Sequence, residues 1–136
     1  MARDPDARRL VLEFTAALAA VRSASEVCRG AQGRLLAGHT LTKGDQSPVT
    51  IADFAAQAVV CAELTDRLGA IDLIGEEDSN DLRAPDAADL LDAVTALVQT
   101  ERGDSVAAGN VLDWISVGAS DGTTDRYWTL DPIDGT

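Results

Sequence analysis

At 136 residues the chain is long enough to bury the core of one domain, and it needs no second one. Its 23 acidic against 11 basic residues leave a formal net charge of −12, which argues against a general nucleic-acid or anionic-membrane surface. Aromatic residues are few and alanine is abundant, a composition suited to closely packed helices.

Residues 6–29 read as an amphipathic helix. Leu10, Phe14, Leu18, Val21 and Cys28 recur at near-helical spacing as an inward face, with Arg8, Arg9, Arg22 and Arg29 left for water. Asp4, Asp6 and Glu13 run through this apolar stretch, so it is neither a signal peptide nor a membrane span. Gly30, Gly33 and Gly38 break the pattern, and His39 in the polar loop that follows is given no role. Lys43 is the only lysine of the chain, and its ordinary reading is a solvated loop residue. Asp45 after Gly44 reads equally well as a turn residue.

A second helix is expected over 50–69, with Phe54, Ala58, Ala62 and Leu68 on one face and Gly69 at its end. Thr50-x-x-Asp53 resembles a capping pattern, which gives Asp53 a purely structural reading in the first turn. Residues 71–74 read as a short strand that delivers Glu76 and Glu77 at its end, unless these two are only a solvated acidic loop. A polar loop over 80–85 leads to a helix over 86–101 with Leu90, Leu91, Val94, Leu97 and Val98 inward. A further helix is expected over 105–118, using Val111, Leu112 and Ile115, and then a Gly/Ser/Thr/Asp loop to residue 125. Cys28 and Cys61 fall in helical patterns without metal-ligand or redox spacing. Buried free thiols in a reducing cytoplasm are the expectation.

The most informative stretch is the last. Residues 127–130 read as a buried strand, followed by Asp131-Pro132-Ile133-Asp134-Gly135-Thr136. Pro132 biases Asp131 towards an extended conformation, and a turn through Pro132 and Ile133 brings Asp134 back beside it. Two adjacent carboxylates repel one another unless a hard cation such as Mg²⁺ lies between them. An acidic β-turn accounts for the same residue types without any metal.

Three segments taken together, Asp45-Gln46-Ser47-Pro48-Val49-Thr50-Ile51-Ala52-Asp53, Gly75-Glu76-Glu77-Asp78 and Trp128 to Thr136, resemble the inositol monophosphatase family of Mg²⁺-dependent, lithium-sensitive phosphomonoesterases. Lys43-Gly44-Asp45 and the lead-in Arg126-Tyr127-Trp128 are most similar to its 3′(2′),5′-bisphosphate nucleotidase branch. The resemblance covers roughly residues 40–136 and implies an α+β fold, a layered αβαβα sugar-phosphatase-like arrangement of which residues 1–136 are the N-terminal part. It implies that Glu76, Asp131, Asp134 and the backbone carbonyl of Ile133 hold Mg²⁺, and that Asp53 and Thr136 orient and deprotonate the attacking water. Gly135 and Thr136 would meet the substrate, and Glu77, Asp45 and Lys43 are weaker candidates for the site. Bound cations would reconcile the acidic chain with an anionic substrate.

The implied substrate of a complete enzyme is adenosine 3′,5′-bisphosphate, with inositol monophosphate as the runner-up. Because the third motif closes the chain, residues 1–136 alone are expected to be inactive. The reading from another class is a non-catalytic acidic domain that binds metal structurally or presents a surface to a partner.

Overall fold

The computed structural model describes residues 4–36 and 47–133. Two long helices, α1 (Pro5–Leu36) and α2 (Pro48–Leu68), pack along one another. Then come strand β1 (Leu73–Gly75), the short helix α3 (Asn80–Arg83), a 3₁₀ turn (Pro85–Ala87), α4 (Ala88–Arg102), α5 (Ala108–Ser116) and strand β2 (Trp128–Leu130). The mixed helix-and-strand class is as expected. The polar loop expected over 80–85 instead contains α3, which forms because Leu82 is buried in the core beneath it.

Helix α2 is the axis of the molecule. Its residues 51–62 are all buried, so its faces are apolar on every side rather than on one stripe. It is long and apolar enough to cross a membrane, but most of its apolar window is enclosed by the rest of the protein. Its N-terminal half joins Val27 and Ala31 of α1 to Leu82, to Leu90, Val94, Leu97 and Val98 of α4, and to Val111 and Ile115 of α5. Its C-terminal half, with Val60, Cys61 and Leu64, packs on Ala16, Ala20 and Leu73, and Trp128 and Leu130 close that cluster from the sheet. Arg102 ties the far side together: it pairs with Glu63 at 3.2 Å and stacks over Trp114, 5.1 Å from the ring centre.

The helix starts two residues earlier than the sequence suggests. Ser47 is the N-cap, its hydroxyl accepting from the Thr50 N–H at 3.1 Å, and Pro48 fills the first turn, where no N–H is needed. Asp53 therefore lies in the second turn and is not a cap. At the other end Gly69 adopts φ 79° and donates its N–H to the Thr65 carbonyl.

In α1 the buried face differs from the expected one. Leu10, Phe14, Leu18 and Val21 are exposed, as are Val11 and Leu12, while Ala16, Ala20, Val27 and Ala31 are buried. The residues 16, 20, 24, 27 and 31 form a second stripe at helical spacing. Its small side chains let α1 approach an α2 that is itself rich in alanine, which the bulky stripe cannot do.

The strands β1 and β2 are parallel, in the register Leu73↔Trp128, Ile74↔Thr129, Gly75↔Leu130, with α3 to α5 as the crossover between them. The other edge of β1 is met by residues 118–120: Gly75 N–H donates to the Gly118 carbonyl at 2.8 Å and Ser120 N–H to the Leu73 carbonyl at 3.0 Å. The strand expected to be buried at 127–130 is only half-buried at Trp128 and Leu130, and Tyr127 and Thr129 are exposed. Among the described residues no further strand pairs with β2.

Candidate functional site

The parallel register brings the acidic segments together. With Gly75 level with Leu130, the next residues, Glu76 and Asp131, leave neighbouring strands at the same end of the sheet. Antiparallel pairing would have sent them to opposite ends. Both side chains are exposed, whereas Glu77 is half-buried. Ile133 turns back against the main core cluster and so fastens the segment after β2 to the body that carries α2.

Asp53 approaches the same region from α2. It is buried, with 8% of its surface exposed. Its charge reaches two neighbours. Burial pushes the Glu77 carboxyl above its ordinary value, and Asp53, Glu76 and Asp81 push it further in the same direction. The Cys28 thiol on α1 is likewise raised, first by burial and then by Asp53. Asp53, Glu76, Glu77 and Asp81 thus form one electrostatically coupled acidic group spanning α2 and the segment after β1.

Oxygen donors that repel one another suit a hard, oxygen-seeking divalent cation. Among the described residues, however, no three His, Cys, Asp or Glu side chains converge closely enough to hold a metal ion. Of the expected carboxylate ligands only Glu76 and Asp131 lie within that range. Asp134, Gly135 and Thr136 at one end, and Lys43 and Asp45 in the loop before α2, lie outside the described residues.

One residue of the region escaped notice in the sequence. Gln57, one turn after Asp53, has no exposed surface. Its side chain holds the backbone of Glu77 at both polar atoms: Nε2 donates to the Glu77 carbonyl at 2.8 Å and Oε1 accepts from the Glu77 N–H at 3.0 Å. A polar residue inside an otherwise apolar run, four positions after Asp53, was the available signal.

A hollow of about 800 Å³ opens at the other end of the strands, between Arg9, Leu12 and Glu13 of α1 and residues 70–72 and 125–128. Its arginines are already engaged, Arg126 with Glu13 at 2.8 Å and Arg67 with Glu63 at 2.7 Å. It is remote from the acidic strand ends.

Comparison with known proteins bears on this arrangement. A family model described as "Inositol monophosphatase family" matches residues 10–136. The chain is 38% identical over 134 residues to "3′(2′),5′-bisphosphate nucleotidase 1" of Arabidopsis thaliana, a match that covers 91% of this chain and 38% of that protein. It is 36% identical to the "3′(2′),5′-bisphosphate nucleotidase" of Oryza sativa, covering 91% of this chain and 37% of the relative. With the protein of the same name from Schizosaccharomyces pombe the identity is 40%, over 88% of this chain and 37% of the relative. The chain thus spans well under half the length of these relatives.

Proposed function

Because the chain belongs to the inositol monophosphatase family, we propose that the complete polypeptide carrying it is a Mg²⁺-dependent phosphomonoesterase that converts adenosine 3′,5′-bisphosphate and water into AMP and phosphate. The observation that carries this reading is the parallel β1–β2 register, which sets Glu76 beside Asp131 at one end of the sheet, with Asp53 coupled to Glu77 next to it. The names of the relatives favour the nucleotide over inositol monophosphate as substrate.

In this reading Glu76, Asp131, Asp134 and the Ile133 carbonyl would hold Mg²⁺, whose charge would stabilise the transferring phosphoryl group and favour ionisation of a bound water. Asp53, fixed in the second turn of a buried helix, accepts the proton of the attacking water, and the Thr136 hydroxyl orients that water. The P–O3′ bond breaks as the new P–O bond forms, and the 3′-oxygen leaves with a proton. Gly135 lets the backbone approach the phosphate. Glu77 supports the negative field, and Lys43, with Asp45 two positions on, would serve to attract the anion. Two cysteines without a disulfide, one of them buried, fit residence in a reducing cytoplasm.

The test is phosphate release by the complete polypeptide. It should require Mg²⁺, be inhibited by lithium, and proceed faster on adenosine 3′,5′-bisphosphate than on inositol monophosphate. Asp53→Asn should lower turnover by roughly 10²–10⁴-fold, the scale of a lost general base. Turnover that survives both removal of divalent cations and Asp134→Asn would overturn the proposal.

A further inference from the structure

We infer that Gln57 is a positioning residue for the candidate site: its buried amide fixes the backbone that presents Glu76 and Glu77 and holds it in register with Asp53 on the same helix face. The inference rests on the functional reading given above and assigns a role to a residue that this reading does not use.

The geometry is that of a clamp. Positions 53 and 57 are one helical turn apart, so both side chains leave α2 on the same side. The Gln57 amide uses both of its N–H groups, one on the Glu77 carbonyl at 2.8 Å and one on the Ile115 carbonyl at 3.0 Å. Its oxygen accepts from the Glu77 N–H at 3.0 Å. The reverse orientation of the amide would set an oxygen against two carbonyl acceptors, so these partners fix it. With no exposed surface, Gln57 has no water to fall back on, and its loss removes the bonds it makes to the Glu77 N–H and carbonyl, whereas the Ile115 carbonyl still accepts from the Gly118 N–H at 3.0 Å.

The slot that admits the amide is built from two glycines. A Cβ on Gly75 would lie 2.5 Å from Gln57 Oε1, and one on Gly118 would lie 2.5 Å from Nε2. Gly75 and Gly118 also pair with each other, the N–H of the former donating to the carbonyl of the latter at 2.8 Å. Glu76 therefore sits between two backbone anchors, Gly75 in the sheet and Glu77 on the amide. Its exposed carboxylate can swing only about its own side-chain torsions. Groups of this kind, behind a ligand rather than touching the metal, characteristically alter affinity or rate by about 10–100-fold when lost.

Gln57→Met keeps the volume and removes the bonds, and Val94→Ala is the control, a fully buried change on α4, which carries none of the candidate site residues. Three quantities are read in the complete polypeptide: the affinity for Mn²⁺ as a spectroscopic stand-in, kcat and KM for adenosine 3′,5′-bisphosphate, and hydrogen exchange at the Glu77 amide. Gln57→Met should weaken Mn²⁺ binding and lower kcat by about tenfold or more with little change in KM, and should speed Glu77 exchange. Val94→Ala should lower the melting temperature and leave all three unchanged. Equal losses of affinity and kcat in the two variants, or unchanged affinity and exchange in Gln57→Met, would overturn the inference. Unaltered protein that binds no Mn²⁺ would defeat the metal reading first and the inference with it. Unchanged exchange in a protein that does bind the ion would defeat the clamp alone.

Discussion

Helix α1 leaves its largest apolar side chains in water, whereas α2 is enclosed on every side through residues 51–62. Both helices are apolar and alanine-rich, and on hydrophobic spacing alone α1 looks the better amphipathic helix. What separates them is the size of the side chains at the contact. Two helices come close only where both present small residues, so α1 docks by Ala16, Ala20 and Ala31 and its leucines face away. α2 has no such choice to make, because helices or strands cover each of its faces.

The comparison is broken most severely by charge. Ala58 has no exposed surface, so Ala58→Asp would bury an unpaired carboxylate, and the cooperative thermal transition should disappear. Val21→Asp on α1 should leave the melting temperature of residues 1–136 nearly unchanged, because Val21 is 61% exposed. Equal damage from both would show that the exposed stripe of α1 is covered in solution.

The cysteines provide a chemical contrast. Burial pushes the Cys61 thiol on α2 up to about 12 from 9.0, while Cys28 on α1 is only half-buried. The folded state resists ionising Cys61, so the stability this thiol contributes is fully present below pH 9 and is lost as pH rises towards 12. Cys61→Ala should therefore reduce the alkaline loss of stability in that window. At pH 8.5 iodoacetamide should modify Cys28 well before Cys61, and equal rates in the native protein would contradict the burial.

A smaller effect is expected at the start of α2. Ser47→Ala removes the hydroxyl that accepts from the Thr50 N–H and should cost about 1 kcal/mol in denaturant unfolding, whereas Asp53→Asn should leave the cap intact. Smallest of all, Phe14→Ser on α1 should change the stability of residues 1–136 by no more than about 0.5 kcal/mol. A distinctly larger cost in the complete polypeptide would locate a covering segment on the stripe formed by Leu10, Phe14, Leu18 and Val21.

Much of this was legible in one dimension. Helical periodicity placed α2, α4, α5 and the start of α1 to within a few residues, since a repeat near 3.6 is a property of the chain itself. But α1 runs on through Gly30 and Gly33 to Leu36, seven residues past the expected end, because an isolated glycine weakens a helix without ending it. The strand ends that carry Glu76 and Asp131 were legible for a similar reason: glycine and proline punctuate the backbone locally. The cap of α2 was misplaced because Thr50-x-x-Asp53 and Ser47-Pro48 are both plausible starts, and only the observed bond from Thr50 N–H to the Ser47 hydroxyl chooses between them.

The sequence by itself determined which residue types could serve an acidic, oxygen-donating site and the order in which they arrive. Tertiary structure alone decided three further matters. It selected the alanine face of α1 over the leucine face, because the closeness of two helices depends on both surfaces. It set Glu76 level with Asp131, because strand register is a relation between segments about fifty-five residues apart. It also made Gln57 a clamp, because a buried amide acquires its partners only when Glu77 and Ile115, twenty and fifty-eight positions along the chain, are folded around it.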